Sequence, residues 1–368
     1  KEATEEGRVV VHETIRFVER ELMSSDGLFY ASIDADSEGK EGAFYVWRED
    51  EIRRILKQDA DLLMKAYSCS PSGNWEKGVN VFRKSDLEIE DDEIARLFKA
   101  RDILFSEREK RIRPATDDKI LTAWNALMIS ALTDAYKAFG EERWLELAVR
   151  CLEFYHESLV QRDWKLWRNA KNGALNNPAF LDDYSFLISA FLDLYQVTFE
   201  ERWLTSATLL TEKVIQHFSD TGGLFFNLSS DETPALVQRA VELSDNVIPA
   251  GNSVMAHNLF IGGHILGKNE WIVRAEQMVT AMMPQIKANP AWHANWARLL
   301  LRSGESATTV KIVSEEPALI RKDFLRHSGP GVIWSGKREV GMTTKIYVCK
   351  GKSCFQPVDC VPEAIKLL

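Results

Sequence analysis

Hydrophobic positions recur at helical spacing along most of the chain, up to about residue 304. Residues 120–136 place apolar side chains three and four positions apart, which predicts an amphipathic helix. Residues 185–195 are apolar on almost every side, which is typical of a helix enclosed by other helices. Between these two segments, residues 141–155 keep one charged face and are predicted to form an outer helix.

This helical pattern repeats with a period near 60 residues. The segment Phe139–Leu145 recurs as Phe199–Leu204, and a weaker copy lies at Lys268–Ile272. Repeats of fixed period indicate stacked supersecondary units, and this length suits two helices with long crossover loops. Residues 1–304 are therefore predicted to form an (α/α) toroid of helical hairpins, a mainly α fold. In a toroid the inner helices run parallel and share one face at their N-terminal ends.

The last part of the chain has a different pattern. Residues 310–313, 331–334 and 344–348 are predicted strands. Two segments that open on proline, residues 317–327 and 362–368, are predicted helices. Residues 305–368 are therefore predicted to be a small α/β region that follows the helical part.

Charge and hydropathy argue against several classes of partner. The net charge is −9 without a basic stripe, which argues against a nucleic acid as partner. No run approaches 18 apolar residues, so no membrane span is predicted. The five cysteines form an odd, sparse set that fits a reducing compartment, so a cytoplasmic location is expected.

Three of these cysteines, Cys349, Cys354 and Cys360, lie close together in the sequence. A zinc or redox cluster is one interpretation. The spacings of four and then five intervening residues differ from the usual two-residue zinc knuckle, so reduced structural thiols are preferred. Neither a metal nor a cofactor is expected.

Acidic pairs that recur with the helical repeat are the main candidates for chemistry: Asp117-Asp118, Asp182-Asp183 and Asp245-Asn246. In a toroid they would converge at one mouth of the ring, which predicts a shared polar site. Capping is the alternative, because carboxylates in a first helical turn are favoured by the helix dipole. Asp118 and Asp183 are the candidate acid/base carboxylates. The candidate substrate-binding residues beside them are Lys119, Trp124, Asn125, Tyr184, Asp245, Asn246 and Asn252. For Trp124 a core position is the simpler alternative.

A second candidate is the acidic stretch at residues 34–47, whose carboxylates are followed at once by aromatic side chains. The first acids match the spacing of an EF-hand loop, but Tyr45 stands where the glutamate that closes the cage should be. A calcium or other cation site on Asp34 and Asp36, and a solvated turn, are the weaker alternatives. The stretch is predicted to fold over the mouth of the ring. Glu41 would be a catalytic acid there, and the substrate would meet Asp34, Asp36, Tyr45 and Trp47.

A series of ordered motifs runs through nearly the whole chain. They are Gly27–Tyr30, Asp34–Ser37, Glu41–Trp47, Gly73–Glu76, Arg113-Pro114, Asp117–Asn125, Phe180–Tyr184, Asp245–Ser253 and Tyr347–Cys354. Together they resemble the spermatogenesis-associated protein 20 family. The resemblance implies an (α/α)6 toroid related to six-hairpin glycosidases and sugar 2-epimerases, preceded by a thioredoxin-like domain. It also implies that this chain begins inside the toroid, which would be incomplete, and that it lacks that domain.

Two functions from different classes follow. The first is a carbohydrate-active or sugar-binding protein, like a glycoside hydrolase or a sugar epimerase, that takes a small saccharide. Two carboxylates would flank the glycosidic bond, whereas an epimerase would use histidine, for which His257 is the candidate. The alternative is a non-enzymatic scaffold that holds a peptide or protein partner for the thioredoxin-like domain. Shifted pKa values of Asp118 and Asp183 in a shared cleft would favour the first function, and bonds to backbone N–H groups the second.

Overall fold

The computed structural model describes residues 4–86, 89–219, 222–234, 239–303, 307–325, 329, 331–351 and 353–368, apart from the side chain of Asp91. The described chain divides into two compact units. The helical unit consists of the chain up to Tyr30 and of Lys119–Leu368, and the inserted unit is Ala31–Asp118. The helical unit begins with helix α1 (Glu5–Glu21), which Thr4 caps at its N-terminus.

The inserted unit combines short strands with helices around a small core of its own. Its elements are β1 (Ser32–Ile33), β2 (Asp36–Ser37), β3 (Lys40–Glu41), α2 (Glu49–Leu56), α3 (Ala60–Ala66), α4 (Asp91–Arg108) and β4 (Thr116–Asp117). Strands β2 and β3 form a hairpin, and β1 pairs antiparallel with β4, so both ends of the unit lie side by side. The core packs Trp47, Ile52, Leu63 and Leu104 between the helices.

The described part of the helical unit contains three successive helical hairpins. Their helices are α5 (Thr122–Phe139), α6 (Glu142–Val160), α7 (Leu181–Thr198), α8 (Glu201–Phe218), α9 (Gly251–Leu266) and α10 (Asn269–Ala281). Inner helix α5 packs against α7, and α7 packs against α9, so the first helices of the hairpins lie side by side. Helix α7 is buried on almost every side, as its apolar sequence predicts.

The three hairpins share the same turn between the inner and the outer helix. The residue after each inner helix has a left-handed conformation, which stops the helix: Gly140, Phe199 and Gly267. Each outer helix then buries the tryptophan of its first turn: Trp144, Trp203 and Trp271. The repeated aromatic motif of the sequence is thus the anchor that packs each outer helix against the core.

Shorter elements complete the helical unit. Strands β5 (Ile120–Leu121), β6 (Trp167–Lys171) and β7 (Ala174–Pro178) form an antiparallel sheet beside the start of α5. After α10 come α11 (Met283–Ala288) and α12 (Ala294–Arg302). Within the described residues, no helix is long and apolar enough to cross a membrane.

The predicted strands and helices of the C-terminal part are present. They are β8 (Thr308–Ser314), α13 (Pro317–Asp323), β9 (Val332–Arg338), β10 (Lys345–Lys350) and α14 (Val361–Leu367), and a short strand that was not predicted, β11 (Ser353–Cys354), follows β10. The strand order is β11-β10-β8-β9, with β8 and β9 parallel and the other pairs antiparallel. This sheet packs on the helices, because the buried Gln196 side chain of α7 accepts a hydrogen bond from the Trp334 N–H of β9 at 3.1 Å. The predicted domain boundary at residues 304 and 305 lies outside the described residues.

The preference for reduced thiols in the cysteine cluster is wrong for two of its members. Cys349 and Cys354 form a disulfide, and Cys360 is free and exposed. The two cysteines are directly opposed across the antiparallel pair of β10 and β11. The sequence spacing alone does not reveal this, because the pairing depends on the hairpin between them.

Thiol titration should therefore find fewer thiols than cysteines. We expect three reactive thiols in the unfolded, unreduced chain, from Cys69, Cys151 and Cys360, and five after reduction. Peptide mapping without reductant should locate the bridge between Cys349 and Cys354. Five thiols before reduction in protein purified without reductant would contradict the bridge.

Candidate functional site

The N-terminal ends of the inner helices are tied together by carboxylates of α7. Asp183 is 1% exposed, and its carboxylate accepts the N–H of Phe180 at 2.9 Å and the N–H of Ala123, in α5, at 3.2 Å. Arg168, on β6, approaches the same carboxylate at 3.4 Å. Burial raises the pKa of Asp183 to about 6, although the Phe180 N–H and the Arg168 charge oppose that rise. One side chain thus closes the first turns of two neighbouring helices.

The preceding residue, Asp182, faces the opposite neighbour. Its carboxylate accepts the backbone N–H of Gly251, the first residue of α9. A Cβ at Gly251 would lie 2.6 Å from Asp182 Oδ1, so glycine is needed for this approach. Burial raises the pKa of Asp182, and the nearby charge of Glu242 adds to the rise. Asp182 is only partly buried, so it is the more accessible acid of the pair.

Asp245 performs the same kind of task one helix further along. Its Oδ1 accepts the Ala250 N–H and the Ser253 hydroxyl, and its Oδ2 accepts the Asn295 N–H at the start of α12. It is 8% exposed, and both of its oxygens are used. Its position therefore fits a structural tie between α9 and α12, not the substrate contact that the sequence predicted.

Three of the predicted substrate-binding residues occupy one repeated position. Each lies 15 residues before the left-handed residue that follows its helix: Asn125 before Gly140, Tyr184 before Phe199 and Asn252 before Gly267. All three are buried. Their polar atoms bond to the backbone of the crossover segments, so they hold those segments against the inner helices.

The two asparagines make the same pair of bonds. The Asn125 side chain accepts the Phe29 N–H at 2.8 Å and donates to the Phe29 carbonyl at 2.9 Å. Asn252 does the same with Phe226, at 2.8 and 2.9 Å. Tyr184 uses its hydroxyl to accept the Leu166 N–H at 3.3 Å. Phe29 and Phe226 are thus the partners of the two asparagines. The amides are buried and engaged with the backbone, so they do not offer the substrate contact that the sequence predicted.

Trp124 differs from these neighbours because it is 46% exposed at the start of α5. The core position that was the simpler alternative for it is wrong. It directly follows Ala123, whose N–H binds Asp183. Arg168 also keeps 41% of its side chain exposed beside that carboxylate. The helical unit therefore presents an indole, a guanidinium and the carboxyl of Asp182 at the ends of α5 and α7. Lys119 is half-buried just before this helix, and Asn246 is exposed in the loop before α9.

The remaining predicted residues belong to the inserted unit. Asp34, Asp36 and Glu41 are exposed around the β2–β3 hairpin, where the Asp36 N–H binds Asp34 Oδ1 at 3.1 Å. Asp118 is half-buried at the end of the unit, and Tyr45 is 36% exposed. The arrangement of these acids over a ring mouth stays a prediction. Within the described part of the chain, no group of three or more His, Cys, Asp or Glu side chains is arranged to hold a metal ion.

Trp47 does not form the substrate wall that the sequence predicted. It is 3% exposed, stacks against Phe82 at 6.4 Å and lies under the Arg111 guanidinium, 3.9 Å from the ring centre. Because the indole is enclosed within the core of the inserted unit, it stabilises that unit and has no free face for a ligand.

Sequence reasoning missed Arg168 and Glu242 and chose the less accessible acid of the α7 pair. Neither charged residue stands in a motif, and Arg168 reaches Asp183 only because β6 pairs with β5 at the start of α5. His257, the histidine that an epimerase would use, is buried, and its Nε2 bonds to the Asn295 carbonyl at 2.9 Å. Burial lowers the pKa of His257 to about 3, so this histidine is neutral and structural.

The fold and the sequence of the chain each resemble known proteins. Its paired helices define a mainly α protein built of successive helical hairpins, with a small C-terminal α/β part. Its sequence is similar to proteins named spermatogenesis-associated protein 20, as its motifs predict. It is 27% identical to the human protein of that name over 96% of the chain, and 28% identical to the rat protein over 96%.

A relative from another organism has a similar degree of sequence identity. An uncharacterised protein of Caenorhabditis elegans is 28% identical over 97% of the chain and 57% of its own length. The chain spans about half the length of the curated relatives it matches, 53% for the human and rat proteins. No model of a protein family matches the chain.

Solved structures with a similar arrangement of helices include a glycoside hydrolase and a sugar epimerase. A family 105 glycoside hydrolase of C. acetobutylicum is 12% identical, with 75% of this chain and 71% of that chain covered and a TM-score of 0.37. A cellobiose 2-epimerase of Spirochaeta thermophila is 14% identical, with 75% and 70% covered and a TM-score of 0.36.

Proposed function

We propose that this chain binds carbohydrate and hydrolyses glycosidic bonds, with the residues for both at the N-terminal ends of its inner helices. The observation that supports this most is the exposed Trp124, which directly follows Ala123, the residue of α5 whose N–H binds Asp183 of α7. An indole face packs on the C–H surface of a sugar ring, and carboxylate and guanidinium groups bind its hydroxyls. Trp124, Arg168 and Asp182 supply these groups from α5, β6 and α7.

The acid/base role is assigned to Asp182 and not to the predicted Asp183. Both oxygens of Asp183 are occupied by N–H donors inside the protein, so a substrate would have to displace them. Asp182 is partly exposed, and burial raises its pKa toward the range in which a carboxyl group can donate a proton.

Glu242 is the proposed second carboxylate. It is exposed, and its charge acts on Asp182, so the two acids share a face of the helical unit. Asn252 fixes the Glu242 backbone carbonyl at 3.0 Å. Glycoside hydrolysis uses one carboxyl as acid and another as base or nucleophile, and this pair would divide those roles, with Asp182 as the acid.

The Trp124→Ala variant tests the binding site. We expect it to weaken binding of neutral gluco- and manno-oligosaccharides at least about tenfold, or ~1.4 kcal/mol, because the stacking surface is lost. The measurement is titration calorimetry of the 368-residue chain with tetrasaccharides of each sugar. Trp292→Ala, at an exposed tryptophan elsewhere in the same unit, is the matched control and should bind like wild type.

The hydrolytic step is separated from binding by Asp182→Asn and Glu242→Gln. Each should keep the affinity within about threefold and abolish reducing-end release, since only the proton transfer is removed. Equal affinity of Trp124→Ala and Trp292→Ala would overturn the sugar site. The scaffold function would then be favoured by the way Asp183 and Asp245 are saturated with backbone N–H groups.

A further inference from the structure

The inserted unit contains an open groove whose lining includes none of the residues at the helix ends described above. Its cavity volume is about 700 Å³, within the range of about 300–1,000 Å³ that is usual for small-molecule sites. All of its lining comes from the inserted unit, from three stretches of chain at residues 37–51, 75–79 and 110–112. These are the β2–β3 hairpin with the start of α2, the loop after α3, and the segment after α4.

Trp75 stands on one wall of this groove and is 46% exposed. The loop that carries it is held by hydrogen bonds of the preceding residue. The Asn74 amide donates to the carbonyls of Ser68 and Val81 and accepts the Val81 N–H at 2.8 Å. Gly73 has φ of +81°, and a Cβ there would lie 2.5 Å from the backbone of Gly78. A large exposed indole on a loop braced in this way has little conformational freedom to lose when a ligand stacks on it.

The floor of the groove is preformed as well. One nitrogen of Arg111 donates to three backbone carbonyls, and the other binds Glu51 at 2.8 Å. The three acceptors belong to Ala43, Phe44 and Val46. The guanidinium also rests on the buried Trp47 ring. Because these donors are already engaged, Arg111 shapes the groove instead of supplying a free positive charge.

Charge in the groove is mixed and close to balanced. Five basic side chains and four acidic ones line it: Lys40, Arg48, Lys77, Lys110 and Arg111, and Glu38, Glu41, Glu51 and Glu76. Such a lining offers hydrogen-bond donors and acceptors together but no strong field for an anion or a cation. A neutral molecule with many hydroxyl groups and an apolar ring face matches this surface.

We propose that the groove of the inserted unit is a second saccharide site that binds a short neutral oligosaccharide, with one sugar ring stacked on Trp75. Glu41, a predicted catalytic acid, lines the same groove and binds hydroxyls of the sugar there. The groove is open, so it accepts a chain of several sugar units in preference to a single sugar. This site does not depend on the one proposed at Trp124, because the two share no residue.

Titration calorimetry of the 368-residue chain with cellotetraose, maltotetraose and glucose tests the groove. We expect at least one tetrasaccharide to bind, glucose to bind at least about tenfold more weakly, and Trp75→Ala to weaken the tetrasaccharide at least about tenfold. Trp292→Ala is the matched control and should leave the affinity unchanged. Glu41→Gln should weaken it by a smaller factor, since it alters one hydrogen-bonding group.

Combining Trp75→Ala with Trp124→Ala in a double variant separates the two proposals. Loss of binding in Trp75→Ala with retention in Trp124→Ala supports the groove alone, and the reverse pattern overturns the groove and leaves the helix-end site. Additive losses in the double variant support two independent sites. No tetrasaccharide binding by wild type at 5 mM, or tighter binding of oligogalacturonate or chitosan oligomers than of both neutral probes, would overturn the neutral-sugar groove.

Discussion

Asn252→Ala is expected to lower the free energy of unfolding by about 3 kcal/mol. The side chain is fully buried and satisfies the N–H and carbonyl of Phe226 and the carbonyl of Glu242. Alanine would leave these backbone groups without partners in a closed space, at ~1–3 kcal/mol for each group that water cannot reach. Urea denaturation followed by circular dichroism measures the change.

Asn246→Ala provides the control, because Asn246 is exposed in the loop before the same helix. It should alter stability by no more than about 0.5 kcal/mol. Asn125→Ala should reproduce the loss seen at Asn252, since it makes the same two bonds to Phe29. If Asn252→Ala were as stable as Asn246→Ala, the amide would not be the anchor of the crossover segment.

Asp183→Asn is expected to destabilise the protein by about 3 kcal/mol at pH 7 and by more at lower pH. Asparagine presents an NH2 group to one of the two N–H donors that the carboxylate now accepts, so a helix tie is lost. Burial raises the folded-state pKa of Asp183 to about 6 from an ordinary value of 3.8. The folded protein therefore takes up this proton before the unfolded chain does.

The sign of the pH dependence follows from that order. Between pH 7 and pH 5 the wild type gains stability from this proton, by ~1.4 kcal/mol for each full pKa unit, and the variant does not. The stability difference between the two should therefore widen by about 1 kcal/mol as the pH falls from 7 to 5. It should stop widening below the unfolded pKa.

Urea denaturation at pH 5, 6 and 7 provides the measurement, and the titrating groups that do not interact with Asp183 cancel in the difference. Asp26→Asn, at an exposed aspartate of the same unit, is the matched control and should change stability by no more than about 0.5 kcal/mol. A pH-independent difference for Asp183→Asn would mean that the carboxyl is already ionised across this range and is more hydrated than its burial indicates.

Asn252 and Asp183 both hold the N-terminal end of an inner helix in the helical unit. The acidic pairs and the asparagines recur because each inner helix must be joined to its neighbours and to a crossover segment at its N-terminal end. Asp182, Asp183 and Asp245 accept backbone N–H groups at those ends, where the helix dipoles favour a negative charge. The two interpretations of the acidic pairs are therefore not exclusive. Asp183 and Asp245 make the bonds that capping predicts, and Asp182 is the more accessible acid of its pair.

The architecture was readable from the sequence because burial has a local periodicity. The all-round apolar character of α7, the charged face of α6 and the repeated tryptophan anchors each lie within one segment, so the hairpins and the inner and outer helices could be predicted. Three of the four strands of the C-terminal sheet, β8, β9 and β10, were predicted for the same reason, and the two-residue β11 was not. The disulfide of Cys349 and Cys354 was not, because it requires the register of two strands.

The site was decided by tertiary structure. Adjacent positions on a helix point about 100° apart, so Trp124 is exposed while Asn125 is buried, and Asp182 and Asp183 meet different helices. Their partners come from distant parts of the chain, as Phe29 does for Asn125 and Ala123 for Asp183. The sequence by itself determined which residues are polar at the helix ends. Only the packing of those ends decided which polar groups bind the backbone and which face the solvent.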